Sequence, residues 1–303
     1  MSKDNLGDRM KSFYENAYRI NLPQRMPIII RLDGCHFHSY TAKCKKPVDY
    51  GLVECMNDAA IELCKTLQGC QLAYVQSDEI SLLITNYQDI NTQALFNNNL
   101  QKMVSVSASI ASVTFTNNSY KIWGSIGVRE PIPTIKPAYF DSRAFILPKE
   151  EVTNYFIFRQ QDATRNSVQM LARSLYSHKQ LENKNNSQLQ ELCFQKGVNW
   201  NDCPTFQKRG RCVVKSKTMK EGVNPKTGEV FQAERSEWVI DNEIPIFSKD
   251  RMYFDNYAFP LMKVECQPET SDVSEEFERE LDEIAARAAE ASRHIAPLLN
   301  IKI

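Results

Sequence analysis

Asp33, Asp78 and Glu79 are the acids expected to carry this chain's chemistry. Asp33 closes a β-branched run, Ile28-Ile29-Ile30, in the stretch RMPIIIRLDG, and Asp78-Glu79 lie between two apolar runs in QLAYVQSDEISLLI, Gln71 to Ile84. Carboxylates are seldom buried unless they are paired or bound to a metal. If the strands that carry them are neighbours, Asp33 and Asp78 meet at one edge of a sheet with no sequence-adjacent base. Two such acids raise each other's pKa unless a cation lies between them. Mg²⁺ needs only one or two carboxylates and completes its shell with water and substrate phosphates. A pair of such ions holds both the attacking and the leaving oxygen of an in-line phosphoryl displacement. The plainer reading makes Asp78 and Glu79 ordinary turn acids; a second acid at a neighbouring strand end shifts the weight toward metal. Phosphates also need cations. Arg31 stands two residues before Asp33 and so shares its strand face, and Lys46, Lys102 and Arg143 fall near element ends. Singly each is a surface charge; together they form a phosphate cradle.

The elements that position these residues follow from periodicity. The run 28–30 reads as a strand entering a turn at Asp33-Gly34. From Asp49 to Leu67, apolar residues recur at Leu52, Val53, Met56, Ala59, Ala60, Leu63 and Leu67, a helical period, and Gly69 is placed to stop that helix. Strand, tight QSDE turn and strand follow. Gln93 to Val113 reads as a second helix, although SVSASIASV also fits a strand; its small residues would let a helix lie close on a sheet. AYFDSRAFIL is a fourth strand, and Pro148 starts a third helix. The order β-α-β-β-α-β, then α, is the ferredoxin-like split βαβ arrangement, an α+β superfold that names no function by itself. After Asn183 the texture changes. LENKNNSQLQ is polar and reads as loop. Gln207 to Lys220 is basic, VNPKTGEV is a hairpin turn, and Glu265 to Glu290 is an acidic tail, helical in its second half.

The 303 residues allow one large domain or one and a half. Lys and Arg number 37, as do Asp and Glu, a balance that still permits a local basic face for nucleic acid. The nine cysteines are odd in number and lack a CxxC pair, which points to free thiols in a reducing compartment. Cys193, Cys203 and Cys212 are spaced too widely for a zinc knuckle. No apolar run approaches the ~20 residues of a membrane span. MSKDNLGDRMKSFYE reads as neither signal nor transit peptide, so a cytoplasmic location is expected. No hydrolase nucleophile motif accompanies His178 or His294.

Four stretches, RLDGCHFHSY…KKPVDYGLVECMNDAA, YVQSDEISLL, FDSRAFILP and NYFIFRQQDATRNSVQMLAR, together resemble the tRNA-histidine guanylyltransferase superfamily, the 3′-to-5′ nucleotide-adding enzymes. The resemblance runs in matching order from about Phe13 to about Val213. It implies a polymerase-like palm, in keeping with the strand order above. It implies two Mg²⁺ ions held by Asp33, the Gly34 carbonyl and Asp78. It also implies nucleotide contacts from Asp33, Gly34, Cys35, His36, Phe37 and His38, from Ser77, from Lys46 and Asp49 of the K-P-x-D stretch, and from Asn166. Arg31, Lys102 and Arg143 match its phosphate contacts. ATP, GTP or other nucleoside triphosphates and tRNA are then the substrates, and a homotetramer is the expected assembly. By strand alternation His36 and His38 share one face and Phe37 takes the other, with stacking or packing as the role of the histidines.

The chain departs from the tRNA-histidine-specific members. Where they carry His-Ile-Asn-Asn it has Thr164-Arg165-Asn166-Ser167, and Cys35 stands where a basic residue is usual. The resemblance is therefore closer to the guanylyltransferase-like branch, which restores truncated tRNA 5′ ends by templated addition; addition of one untemplated guanylate to tRNA-histidine is the alternative. Lys208, Arg209, Arg211 and Lys215 suit RNA backbone contact, or else belong to a solvated hairpin. The expected division is a palm-like catalytic domain over 1–180, a basic tRNA-contacting extension over 181–264 and an acidic tail over 265–303. A nucleotidyl cyclase uses the same palm on one nucleotide. A non-catalytic RNA-binding module would want exposed aromatics on central strands, where this chain has acids at the strand ends.

Overall fold

The computed structural model describes residues 6–124, 136–223, 228 and 230–254. The acidic tail and most of the VNPKTGEV turn lie outside them. The described residues fall within one compact unit, Met1–Pro260. Its main elements are β1 (Ile28–Gly34), α1 (Tyr50–Thr66), β2 (Cys70–Gln76), β3 (Glu79–Ile84), α2 (Leu100–Gly124), β4 (Phe140–Ile146), α3 (Val152–Leu175), α4 (Asn186–Gln195), β5 (Arg211–Val223) and β6 (Val230–Asp241).

One antiparallel sheet runs β4-β1-β3-β2-β5-β6. Its first four strands have the ferredoxin-like order. Strand alternation divides the core in two. Ile28, Ile30 and Leu32 of β1 face α1 and α2, packing with Met56, Leu63 and Phe115. Ile29 of β1 faces the other way, with Tyr74, Phe156 of α3 and Phe247. The central strands β1, β3 and β2 are thus covered on both faces, which leaves their ends open to a substrate.

Local chemistry explains the boundaries. Asp49 caps α1 by accepting from the Leu52 amide at 3.2 Å. After α1, Gly69 adopts φ +80°, and a Cβ there would stand 2.5 Å from the Thr85 carbonyl oxygen, so only glycine fits. The stretch with two readings is helical. In α2 the buried residues Met103, Ser107, Ala111, Phe115, Ser119 and Trp123 recur every fourth position, one helix face, where a strand would bury alternate residues. Its small residues allow close approach: Ser107 Oγ lies 2.8 Å from Ser142 Oγ of β4.

LENKNNSQLQ differs from expectation. It is helical at both ends, over His178–Leu181 and from Asn186 into α4. Asn185 and Gln188 form a reciprocal capping box, and Leu189 and Cys193, one turn apart, pack against Val168, Leu171 and Ala172 of α3. So narrow an apolar stripe leaves little periodic signal. The basic stretch supplies β5, which pairs with β2, so the expected extension shares its sheet with the expected catalytic domain.

Candidate active site

The three acids converge where β1 ends and β3 begins. Asp33 stands opposite Glu79 in the β1–β3 register, and the Gly34 amide donates to the Asp78 carbonyl at 3.1 Å. Ser77, with φ +47°, makes the tight turn that sets Asp78 beside β1. Their electrostatic situations then diverge. Glu79 is buried and fully engaged: Arg159 of α3 donates from Nε to Oε1 at 2.7 Å and from Nη2 to Oε2 at 2.5 Å. Burial alone would lower the Arg159 pKa; the hydrogen bond and charge of Glu79 outweigh it and raise it. Asp162 stands 3.3 Å from the same guanidinium. Glu79, expected as a catalytic acid, thus has its counter-charge inside the protein.

Asp33 and Asp78 have none: among the described residues neither is in an ion pair. Burial pushes the Asp78 carboxyl above its ordinary value, the charges of Asp33 and Glu79 add to that rise, and a hydrogen bond from Ser77 opposes it. This donor set fits Mg²⁺. Among the described residues no group of three or more His, Cys, Asp or Glu is arranged around a metal position, but Mg²⁺ asks only one or two carboxylates of the protein. The backbone at Gly34 is held close to the Phe37 ring, which a Cβ would meet at 2.3 Å.

On one side of the acid pair lie two arginines. Arg31 of β1 and Arg143 of β4 are direct register partners, and their side chains share the face of Asp33. Like charges directly opposite are unfavourable. Arg31 Nε is buried without a hydrogen-bond partner, while Arg143 holds Asp141 at 3.1 Å. Arg31 thus keeps a buried donor without a protein acceptor among the described residues, whereas Arg143 is already paired. Lys102 lies in the first turn of α2, which packs on the opposite face of the sheet.

On the other side opens a cavity of about 510 Å³. Of the expected nucleotide contacts, Phe37, His38, Lys46, Asp49, Ser77, Asp78 and Asn166 line it, whereas Arg31, Asp33, Gly34, Cys35, His36, Lys102 and Arg143 do not. Asp78 is thus common to the cavity and the acid pair. Asp49 is committed to backbone, its second oxygen accepting from the Lys45 amide at 2.9 Å, so it shapes the Lys45-Lys46 loop. The expected strand alternation of His36 and His38 does not hold. His36 is left-handed at φ +56° and turns the chain into a helical turn, Phe37–Tyr40. Phe37 is buried there, stacked on Tyr40 at 5.1 Å.

The sequence reading overlooked Gln169, Met170 and Arg173, which also line the cavity. Their signal was the spacing 163, 166, 169 and 170, 173, one face of α3. The basic run divides as well. Lys215 is exposed, with Nζ 5.0 Å from the Trp238 ring centroid. Lys208 donates to the Asn201 carbonyl at 2.5 Å. Arg209 is half-buried, and Arg211 is buried in the cavity wall.

A split βαβ sheet with two un-neutralised aspartates at adjoining central strand ends is the arrangement of a palm-type nucleotidyltransferase. Comparison with known proteins agrees. A family model described as tRNAHis guanylyltransferase (Thg1) matches residues 7–148. A bacterial tRNA(His) guanylyltransferase (Thg1)-like protein, solved in complex with ATP, is 45% identical; the match covers 84% of this chain and 99% of that one, with a TM-score of 0.72. A bacterial Thg1-like protein in complex with GTP is likewise 45% identical, over 85% of this chain and 100% of that one, with a TM-score of 0.68. tRNA(His) guanylyltransferase 2 of Arabidopsis thaliana is 28% identical over 237 residues, 74% of this chain and 41% of that longer protein. This chain belongs to the tRNA(His) guanylyltransferase (Thg1)-like family and is a nucleotidyltransferase of that family.

Proposed function

We propose that the protein adds nucleotides to tRNA 5′ ends in the 3′-to-5′ direction, with the opposite strand of the acceptor stem as template, and so restores 5′-truncated tRNA. The observation that carries this reading is the un-neutralised Asp33–Asp78 pair set between the Arg31–Arg143 site and the cavity. That gives a phosphate-binding place on either side of the acids, as joining two phosphorylated reactants requires. The ATP and GTP complexes of bacterial Thg1-like protein support nucleoside triphosphates as substrates.

In this reading the 3′-hydroxyl of the incoming nucleotide attacks an activated 5′ phosphate, a triphosphate or an adenylylated monophosphate, and pyrophosphate or AMP leaves. Mg²⁺ ions held by Asp33, Asp78 and the Gly34 carbonyl would supply acidity to the attacking hydroxyl and charge neutralisation to the leaving group. Arg31 and Arg143 bind phosphate oxygens. Thr164 supports the templated reading: its hydroxyl donates to the Gln160 carbonyl of its own helix at 2.9 Å, and it does not line the cavity. In this reading Thr164 offers no contact that would fix one base, and selection comes from pairing with the template strand.

Two-ion magnesium dependence, a cytoplasmic location and a homotetramer go with this reading. Exposed Phe13, Tyr14 and Tyr18 are the sort of surface a second copy covers. No helix among the described residues is long and apolar enough to cross a membrane.

The test is incubation with labelled 5′-truncated tRNA, Mg²⁺ and nucleoside triphosphates. Extension at the 5′ end is expected. A cyclic nucleotide product, or binding without extension, would return the protein to the cyclase or RNA-binding alternatives. Binding of the tRNA backbone is checked separately by neutralising Lys208, Arg209 and Lys215. We expect weaker tRNA binding and a salt slope reduced by about one for each phosphate that is no longer neutralised, with nucleotide affinity kept. An unchanged slope would make this stretch a solvated hairpin.

A further inference from the structure

Arg211 opens β5 and is 3% exposed. Its guanidinium is held by neutral acceptors alone: Nε donates to Asn57 Oδ1 and Nη2 to the Val53 carbonyl at 3.2 Å, both on α1. No carboxylate stands within ion-pair distance among the described residues. Burial pushes its pKa down to about 10. A buried charge without a counter-charge is costly. The contrast with Arg159 is direct, since that arginine, also buried, has Glu79 and Asp162.

Arg211 also borders the cavity that contains Asp78. A guanidinium carries five N–H donors in a fixed fork, so three remain after Asn57 and Val53. Lys45, Lys46 and Arg173 line the same space. Of the carboxylates there, Asp49 is held by backbone amides, and Asp78 belongs to the acid pair. Four basic side chains, Lys45, Lys46, Arg173 and Arg211, thus line the cavity with two carboxylates, Asp49 and Asp78.

We propose that Arg211 is a phosphate anchor in the cavity wall, presenting its remaining N–H groups to phosphate oxygens of a substrate. This rests on the proposed function for the identity of the reactants, and the phosphate has two sources there: a nucleoside triphosphate or the 5′-phosphate of the truncated tRNA. Bidentate contact is what a guanidinium provides and an ammonium does not. Arg211 is thus distinct from Lys208, Arg209 and Lys215, with which it shares a sequence run.

The experiment is calorimetric titration of the full chain, wild type, Arg211→Lys and Arg211→Met. The ligands are tripolyphosphate, GTP, ATP, and one truncated tRNA bearing either a 5′-monophosphate or a 5′-hydroxyl. Arg211→Met is expected to weaken tripolyphosphate at least tenfold and to weaken the triphosphates or the 5′-phosphorylated tRNA equally, whichever is the source. Affinity for the 5′-hydroxyl tRNA should stay the same. Arg211→Lys should fall between, because it keeps the charge and loses the fork. A purely structural tie to α1 would weaken all ligands alike or none, and either result overturns the proposal. If Arg211→Met does not fold, Arg211→Lys decides on the same criterion: a loss confined to the phosphate ligands supports the anchor, and a uniform loss or none overturns it. A wild type that binds tripolyphosphate through Arg211 but extends no tRNA contradicts the proposed function and leaves the anchor standing.

Discussion

Asp78→Asn is expected to lower nucleotide addition by roughly a hundredfold or more, the scale of losing a charged metal ligand, while leaving the melting temperature unchanged or higher. The second half of this expectation follows from the sign of the pKa shift. Burial and the neighbouring Asp33 raise the folded-state pKa of Asp78 above the ordinary carboxylate value. The folded protein then holds a proton there more readily than the unfolded chain does. Ionising Asp78 therefore subtracts stability as pH rises from the ordinary carboxylate range through the raised value. Asparagine keeps the shape and has no such titration. In metal-free buffer the melting temperature of Asp78→Asn should gain on wild type as pH rises through that window. Adding Mg²⁺ should raise the wild-type melting temperature and have little effect on the variant. Thermal melts with and without Mg²⁺, alongside the tRNA extension assay, check all three. Near-normal activity, or an undiminished Mg²⁺ response in Asp78→Asn, would contradict the metal assignment.

The largest stability effect is expected at the neighbouring acid's partner. Arg159→Met should cost about 3–5 kcal/mol, the scale found when one member of a buried ion pair is removed. The side chains of Arg159 and Glu79 are 7% and 8% exposed, so water cannot take over the solvation of a stranded carboxylate. Glu79→Gln should cost less, because Arg159 keeps Asp162 at 3.3 Å. It should also impair catalysis less than Asp78→Asn, since Glu79 is already neutralised by Arg159. The double variant Glu79→Gln/Arg159→Met should recover part of the loss, as coupled neighbours do. Urea unfolding of the four proteins measures this cycle. A cost below about 1 kcal/mol for Arg159→Met would be that of a surface pair and would contradict the burial argument.

How far the chain could be read without coordinates depended on how local each signal was. The first four strands were legible as short apolar runs bounded by turn residues, and α1 because its apolar residues repeat with helical period from Leu52 to Leu67. The stretch 105–113 was ambiguous, because small residues blur the contrast between buried and exposed positions; the four-residue repeat from Met103 to Trp123 settles it only over the whole of α2. The meeting of Asp33 with Asp78 was legible because the split βαβ order makes β1 and β3 neighbours. The fate of Glu79 was not, since its partner lies 80 positions away on α3. Nor was Arg211 separable from its basic neighbours. Only the pairing of β5 with β2 and the approach of α1 bury it while Lys215 stays exposed. Lys102 shows the converse. Proximity to an element end placed it with Arg31 and Arg143, while its helix α2 packs on the other face of the sheet.

Templated addition to a tRNA 5′ end is tested by changing one template nucleotide and sequencing the 5′ product. With C opposite the gap the protein should add G; with A opposite it should add U. A mismatch forfeits pairing and stacking, taken here as about 1–3 kcal/mol by analogy with protein-read sites, which corresponds to a discrimination of roughly ten- to a hundredfold. Added bases that track the template would bear out the claim. Addition of G whatever the template, or activity confined to tRNA-histidine with one untemplated guanylate, would contradict it.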